Sequence, residues 1–517
     1  MIHFRSIALK ILSLLLIALL ANSCTRQKTD AVTAYSVVFA KATVIDGSGA
    51  APYVANVVIS GDSIALIDRD TSATYRAGET INAQGLVLSP GFIDTHAHGN
   101  PLKTPEFKNF LSMGVTTICL GQDGFSPEHK DPKVWMDSVS TTKPGPNIAL
   151  FAGHNTLRLL SGTGYTTTPT AKNETAMERL LVQAMEAGCF GLSTGLEYTP
   201  GYYADSTELN SLARVVGLQG GIIMSHIRNE DDSVVDSSIE ELLAQGKYCP
   251  VHISHIKVVY GKGRARAAEI IEQLEHARSS GIEVTADFYP YTASYTGIGI
   301  LFPDWAKKPN DYREVLSSRG EELRLFLKNK VMQRNGPDAT LIGSGPYKGK
   351  TLAQISAELN KPYEEVLLHD IGPYGASGAY FIMDSSLQEA FLANPYTMIC
   401  TDGSPEMNHP RGYGAFAKII ETYVVNKEVL SLEEAIRKMS GLPAETLGLT
   451  DRGFIRAGYK ADLLLFDPTA IRERATYEDP YQLASGFQYV LVNGKVVKRG
   501  DTFASDRAGR MLKKNRL

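Results

Sequence analysis

His96 and His98 lie one residue apart at the end of an apolar stretch, residues 88–100, which reads LSPGFIDTHAHGN. Side chains alternate along an extended backbone, so this spacing turns two imidazoles toward the same space. Two imidazoles in one space are the minimum arrangement for binding a divalent metal ion. A single His-X-His pair is weak evidence, because two polar residues in an ordinary loop show the same pattern. The metal interpretation therefore depends on further candidate ligands downstream.

Four more residues that can bind metal end apolar segments along the chain. Asp123 follows VTTICLGQ, and His226 ends GIIMSH. His255 ends VHISH, and Asp402 ends MICTD. Four imidazoles and two carboxylates at six such positions favour a metal site over hydrogen-bonded polar residues of a core. His252, three residues before His255, is expected to face the opposite side of its strand and to serve packing.

The segments between these residues predict the elements that position them. Helical stretches alternate with apolar strands after residue 88, at 174–187, 206–218, 234–245 and 265–279. Successive β/α units of this length predict a parallel sheet, and their number favours a closed (β/α)8 barrel over an open doubly wound sheet. The absence of a GxGxxG motif after any strand argues against dinucleotide binding. Active sites of such barrels lie at the carboxyl ends of the strands, where the six candidate ligands are predicted.

Both ends of the chain carry short strand-like segments separated by turns, and these predict a β layer built from two parts of the sequence. The alternation of helices and strands becomes irregular between residues 303 and 394, which indicates an insertion. The predicted organisation is a β domain from 35–88 and 455–517, a barrel from 89–302 and 395–454, and an inserted segment at 303–394 before the last barrel strand.

The first residues have the layout of a bacterial export signal. Arg5 and Lys10 precede the apolar run 11–21, which is too short to span a bilayer comfortably. The run leads into LANSC, which resembles a lipobox and implies cleavage before Cys24 and lipid attachment to its sulfur. Residues 1–23 are therefore expected to be a lipoprotein signal peptide and residues 24–34 a tether. The mature protein is expected to be anchored to a bacterial membrane, on the periplasmic side.

Composition excludes several classes of function. A net charge of only −4 and the lack of a long Lys/Arg block argue against nucleic-acid binding. At 517 residues and 43% hydrophobic residues, the chain is long enough for more than one globular domain. The four cysteines after Cys24 lie in or beside apolar segments, so they are expected to be buried free thiols rather than a disulfide framework.

Taken together, the motifs resemble the amidohydrolase superfamily and, in detail, its D-aminoacylase branch, the N-acyl-D-amino-acid deacylases. The matching stretches include SPGFIDTHAH, GVTT, FGLSTGLEYTPGYYA, SHIRNE, VHISHIK, YPYTA and HPRGYGAF. They continue through GLPAETLGLTDRGFIRAGYKAD and QYVLVNG, so the resemblance covers nearly all of the chain after the tether. It implies an α/β fold in which a (β/α)8 barrel is flanked by a β-sandwich formed from both chain ends.

The resemblance also implies a zinc-dependent enzyme that removes the acyl group from N-acyl-D-amino acids and releases a carboxylate and a D-amino acid. His226 and His255 match zinc ligands, and Asp402 matches the catalytic aspartate. The other matched residues are a histidine pair that can hold a second, weaker ion, His96 and His98, and three residues that bind the substrate's carboxylate, Lys257, Tyr289 and Arg411. Preference for the D configuration follows from the resemblance alone.

One position departs from the family pattern. Many family members carry GNCG after the second strand, with the cysteine as a zinc ligand, whereas this chain has GQDG at residues 121–124. Cys119 lies four residues earlier, too far to take its place without a slip of the strand. Asp123 replaces the sulfur by a harder carboxylate that can bridge two ions. We therefore expect one or two zinc ions, or a site that also accepts other divalent metals.

Two other functions fit parts of the pattern. A cyclic-amide hydrolase or dipeptidase of the same superfamily would share the histidines, but its bridging ligand is often a carboxylated lysine. A catalytically inactive binding protein tethered to the membrane surface would share the fold. The complete set of candidate ligands argues against that inactive protein.

Overall fold

The computed structural model describes residues 35–514. The predicted export signal and the whole predicted tether, which begins at Cys24, lie outside these residues. Within them, no helix combines the length and the apolar character needed to cross a membrane. The three parts of the described chain are a barrel, a β-sandwich and an inserted unit.

Eight parallel strands form the barrel, and we number them first to eighth in chain order. They are Phe92–Asp94, Val115–Leu120, Asn147–Leu150 with its continuation Ala152–Gly153, Gly191–Gly195, Ile222–His226, Val251–Ile253, Val284–Phe288 and Thr397–Ile399. The first three strands pair in sequence order, and so do the strands from the third to the eighth. Nearly every residue in these strands is buried, as expected for a parallel sheet covered by helices.

Hydrogen bonds just beyond the eighth strand close the ring. The backbone N–H of Asp402 donates to the carbonyl of His96 at 2.8 Å, and that of His98 donates to the carbonyl of Gly403 at 2.8 Å. Ala97 and Gly403 form a parallel bridge between the same two segments. The predicted (β/α)8 barrel is therefore confirmed, and its closure brings the two ends of the barrel sequence together at the candidate site.

Helices cover the outside of the barrel and present apolar faces to it. Thr170 caps the helix Ala171–Ala187 by accepting a hydrogen bond from Asn173 N–H, and the helix buries Met177 and Leu181. The remaining α-helices of the barrel are Lys108–Ser112, Pro132–Thr142, His154–Ser161, Ser206–Leu218, Val235–Gln245, Gly263–Ser279, Ser385–Ala393, Arg411–Lys418, Leu432–Ile436 and Leu442–Leu447. π-helical turns at Ile419–Asn426 and Arg437–Gly441 continue two of them, and a 3-10 turn lies at Gly201–Tyr203.

The β-sandwich is built from both ends of the chain, as predicted. Its strands are Tyr35–Val44, Tyr53–Ser60, Ser63–Asp68, Ala77–Asn82, Val87–Pro90, Leu463–Phe466, Phe487–Val492, Lys495–Arg499 and Thr502–Phe503, with a 3-10 turn at Pro468–Ala470. Val87–Pro90 pairs antiparallel with Leu463–Phe466, which joins the two parts of the sequence. Apolar side chains such as Phe39, Val57 and Leu465 form its core.

The inserted unit has its own sheet and its own apolar core. Its elements are the strands Ala293–Gly297, Thr340–Ile342 and Ser377–Phe381, the α-helices Tyr312–Gln333, Leu352–Leu359 and Tyr363–Glu365, a π-helical turn Val366–Ile371 and short 3-10 turns at Ile298–Leu301, Asp304–Ala306 and Pro337–Ala339. The unit begins with the strand Ala293–Gly297, before the boundary expected at residue 303. The helix Ser385–Ala393 lies inside the predicted insertion but packs on the barrel helix Gly263–Ser279.

Candidate metal centre

All six candidate ligands lie at the carboxyl ends of barrel strands. His96 and His98 follow the first strand, and Asp123 follows the second. His226 ends the fifth strand, while His255 and Asp402 follow the sixth and the eighth. Because these strand ends meet at one face of the barrel, the structure brings together residues that are more than three hundred positions apart in the sequence.

Asp123 lies at the centre of this cluster. Its Oδ1 is 3.3 Å from His96 Nε2, 3.6 Å from His226 Nδ1 and 3.2 Å from His255 Nε2. Its Oδ2 is 3.4 Å from His98 Nε2. One carboxylate therefore faces four imidazoles, and two groups that could hold a cation share it: His96, His98, Asp123 and Asp402 in one, and Asp123, His226 and His255 in the other.

The arrangement of the donor atoms suits the binding of divalent metal ions better than it suits hydrogen bonding among these side chains. His226 Nδ1 lies 3.0 Å from His255 Nε2, so two ring nitrogens point at each other beside the same carboxylate. Both ring nitrogens of the fully buried His96 lack a hydrogen-bond partner within the described range 35–514. Unpaired buried nitrogens are costly, and imidazole nitrogens with carboxylate oxygens are common zinc ligands.

The turn at Asp123 does not use its carboxylate. Within residues 35–514, Asp123 Oδ1 and Oδ2 accept no hydrogen bond from the backbone of this turn, and their neighbours are the four histidines. Cys119 is buried in the second strand among Ile93, Ala149 and Phe151, away from the cluster. The carboxylate therefore occupies the centre of the candidate site, and no thiol replaces it.

Three residues of the cluster adopt left-handed backbone conformations. The φ angles are 55° at Asp123, 40° at His255 and 45° at Asp402. Such angles are uncommon for residues with a Cβ and concentrate at functional sites, where the surrounding structure must hold them. Two buried aspartates inside the barrel help to keep the backbone in these conformations.

Asp94 and Asp287 anchor the backbone beneath the cluster. Asp94 Oδ1 accepts from the N–H groups of His96 and Thr401, both at 3.1 Å, and so ties the first strand to the eighth. Asp287 Oδ1 accepts from the N–H of His255 at 2.5 Å, and its Oδ2 accepts from the hydroxyl of Thr95 across the barrel interior. Both carboxylates therefore hold segments that carry candidate ligands, a role that the sequence alone did not indicate.

His252 lies inside the barrel, contrary to the expectation that it faces away from the site. Its Nε2 is 2.9 Å from Asp287 Oδ2, and its Nδ1 is 2.8 Å from the hydroxyl of Thr285. The left-handed backbone at His255 changes the alternation between these two histidines. His252 therefore supports Asp287, one layer below the candidate ligands.

Two glutamates contact the outer nitrogens of the histidines, and sequence reasoning missed both. His226 Nε2 lies 2.9 Å from Glu197 Oε2. Glu230 Oε1 lies 3.3 Å from His255 Nδ1 and 2.6 Å from Lys257 Nζ. Carboxylates in this position orient imidazole ligands and set which nitrogen carries the proton. The motifs GLEYTPG and SHIRNE contain these glutamates and were the available signal.

Asp402 and Arg411 form an ion pair at the edge of the cluster, with Asp402 Oδ2 2.9 Å from Arg411 Nη2. Burial alone would raise the pKa of Asp402, but the charge of Arg411 outweighs it and holds this pKa below its ordinary value. The guanidinium carbon of Arg411 lies 4.5 Å from the ring centroid of Tyr289. Among the residues that the structure describes, none hydrogen-bonds to Arg411 Nε, Arg411 Nη1 or the Tyr289 hydroxyl, so these groups are available to a bound molecule.

Lys257, the third predicted substrate-binding residue, is already engaged. Its Nζ lies 2.6 Å from Glu230 and 2.7 Å from His255 Nδ1. Burial would lower the pKa of Lys257, but Glu230 outweighs it, so this pKa lies above its ordinary value. One pocket brings Lys257, Tyr289, Asp402 and Arg411 to the same surface.

Three comparisons with known proteins agree with this geometry. The amidohydrolase family model matches residues 395–498. The N-acyl-D-glutamate deacylase of Alcaligenes xylosoxydans xylosoxydans is 33% identical over 91% of this chain and 95% of its own length. The D-aminoacylase of the same organism is 32% identical over 92% of this chain and 97% of its own length.

The crystal structure of N-acyl-D-glutamate deacylase from Bordetella bronchiseptica, complexed with zinc and a phosphonate inhibitor that mimics the tetrahedral intermediate, superimposes with a TM-score of 0.81. It is 29% identical and covers 93% of this chain and all of its own. With relatives more than 30% identical over nearly all of both chains and a shared overall fold, the chain belongs to the amidohydrolase superfamily and, within it, to the branch of the N-acyl-D-amino-acid deacylases.

Proposed function

We propose that this protein is a metal-dependent hydrolase that cleaves the amide bond of N-acyl-D-amino acids and releases a carboxylate and a D-amino acid. The observation that carries the proposal is the cluster of four histidines around Asp123 with Asp402 and Arg411 at its edge. Family relatives of this chain act on such substrates, and they include an N-acyl-D-glutamate deacylase and a D-aminoacylase at nearly equal identity. Overall identity therefore does not select the side chain of the amino acid.

The residues that would hold zinc or a similar ion are His96, His98, Asp123, His226 and His255. A divalent ion in such a site supplies Lewis acidity, which lowers the pKa of water to about 7 and polarises a carbonyl oxygen. The carboxylate of Asp123 accepts zinc and harder ions such as manganese, so the site is expected to take one or two ions with limited discrimination.

Asp402 is the proposed general base and acid. Its pairing with Arg411 keeps the carboxylate ionised, as a base must be at neutral pH. Asp402 takes a proton from the attacking water while the water oxygen bonds to the scissile carbonyl carbon. The same residue then returns the proton to the amine nitrogen as the carbon–nitrogen bond breaks. The proton that the water loses is therefore the proton that the leaving amine gains, and Asp402 ends the cycle ionised again.

The free α-carboxylate of the substrate is proposed to bind to Arg411, Tyr289 and Lys257. Arginine and tyrosine each offer donors that have no partner in the structure. Lysine contributes mainly charge, because Glu230 and His255 already contact its amine. An ionic anchor of this kind fixes the substrate relative to Asp402.

The test is an amine-release screen of the purified mature protein with N-acetyl-D- and N-acetyl-L-amino acids, with zinc or with a chelator. The proposal expects turnover of D substrates that zinc supports and the chelator abolishes. Turnover of a cyclic amide such as a hydantoin, with none of any N-acyl-D-amino acid, would replace it with the cyclic-amide alternative. Failure of the zinc-loaded protein on every substrate would favour the inactive binding protein.

We also propose that the mature protein is a lipoprotein anchored by Cys24 on the periplasmic side of a bacterial membrane. The support is the basic start, the apolar run 11–21 and the LANSC sequence. A surface anchor would place the pocket where N-acyl amino acids enter from outside the cytoplasm.

A further inference from the structure

A second arginine lines the pocket and has no role in the mechanism above. Arg334 follows the helix Tyr312–Gln333 of the inserted unit, and it reaches the same pocket as Arg411 and Asp402. Only 4% of its surface is exposed. The barrel supplies the candidate metal ligands, whereas the inserted unit supplies this additional buried cation.

The charge of Arg334 is not matched by a close anion. Its Nε has no hydrogen-bond partner, and no carboxylate oxygen of residues 35–514 lies within 4.0 Å of its guanidinium nitrogens. Its guanidinium carbon lies 4.8 Å from the ring centroid of Tyr380, which orients the group by a cation–π contact but does not neutralise it. Asp231 also lines the pocket, and the charge of Arg334 acts on it from beyond ion-pair distance, but its close ion-pair contact is with Lys330, at 3.6 Å.

A buried cation without a paired anion is costly to hold, and such groups in proteins are normally paired or bound to a ligand. A guanidinium binds a carboxylate through a planar fork of donors. Arg411, Tyr289 and Lys257 already account for one carboxylate of the substrate. Arg334 is therefore available for a second anionic group on the same small molecule.

We infer that Arg334 binds a carboxylate on the substrate's side chain, so that the enzyme prefers N-acyl-D-amino acids with an acidic side chain. This inference rests on the proposed function and adds to it the chemical class of the amino acid. A substrate with two carboxylates pairs both Arg411 and Arg334, whereas a neutral side chain leaves Arg334 buried without a partner.

The experiment compares kcat/KM for N-acetyl-D-glutamate with that for N-acetyl-D-glutamine, which has nearly the same shape without the charge. The zinc-loaded protein is expected to favour the glutamate substrate by about 10- to 100-fold, the range for a hydrogen bond to a charged group. Arg334→Met keeps much of the side-chain volume and removes the charge, so the ratio should fall toward 1, mainly through KM. Arg334→Lys keeps the charge without the fork and should retain part of the preference.

Asp231→Asn is the matched control, because it removes a charge from the same part of the pocket but leaves Arg334 in place. It should keep the preference at or above the level of the unmodified protein. Equal kcat/KM for the two substrates in the unmodified protein would overturn the inference. It would also be overturned if Arg334→Met lowered kcat/KM equally for both substrates and Arg334→Lys restored none of the preference. Turnover of neutral N-acyl-D-amino acids would then still support the proposed function. Inactivity on every N-acyl-D-amino acid would overturn both.

Discussion

Replacing Asp123 by asparagine removes one negative charge while leaving the size of the side chain almost unchanged. Asparagine tolerates the left-handed conformation at this position, where φ is 55°, as well as aspartate does. A role limited to the turn therefore predicts no change in metal content. A role as a ligand predicts a loss, because Oδ1 faces three imidazole nitrogens at 3.2–3.6 Å and the amide would have no negative charge to offer.

The size of the loss follows from the position of the carboxylate. Changes to residues that only orient a metal ligand cost about 10- to 100-fold in affinity. Asp123 is placed as a ligand, so the Asp123→Asn protein should bind zinc at least about 100-fold more weakly, which corresponds to about 2.7 kcal/mol. Activity should fall with metal occupancy.

The assay is zinc affinity by competition with a chromophoric chelator, together with elemental analysis of the purified protein. Asp137→Asn, at an exposed position on the helix Pro132–Thr142, is the control and should bind zinc normally. Asp123→Cys restores the family thiolate and should bind zinc well while losing activation by manganese. Unchanged zinc affinity in Asp123→Asn would refute the ligand role and leave only a role in the turn.

Three further changes test the remaining assignments. Asp402→Asn should keep zinc bound but lower kcat by roughly 100- to 10,000-fold, the usual cost of losing a general acid or base; near-normal kcat in a zinc-replete protein would contradict the assignment. Arg411→Lys keeps the charge but loses the fork, so KM for N-acyl-D-amino acids should rise about 10- to 100-fold. Amide analogues without the α-carboxylate should show a much smaller rise in KM, whereas equal rises would indicate a structural role. Cys24→Ala should abolish lipid labelling in the host, and persistent labelling would exclude the lipobox.

The barrel and the sandwich could be predicted because their signals are local. Apolar strands followed by helices recur along the chain, and each unit can be recognised without knowing where its neighbours lie. The start of the inserted unit could not be placed in this way. The strand Ala293–Gly297 is polar and short, and it pairs with Ser377–Phe381, a partner far along the sequence. Nothing within the segment ASYTG distinguishes such a strand from a loop.

The candidate ligands could be predicted from local signals, whereas the residues that anchor them could not. A histidine or aspartate at the end of an apolar segment is recognisable, because the end of a barrel strand is itself a location in the fold. The roles of Asp94 and Asp287 could not be recognised in this way, because Asp94 ends the first strand just before the histidine pair and Asp287 lies inside the seventh strand. Their function arises only when the ring closes and places Thr401 beside Asp94, and Thr95 across the barrel interior from Asp287. The position of Arg334 is even harder to predict from the sequence, because the inserted unit, and not the barrel, brings this residue to the pocket. Strand ends in the sequence therefore indicate the metal site, whereas the substrate preference inferred from Arg334 depends on contacts between units that only the folded chain establishes.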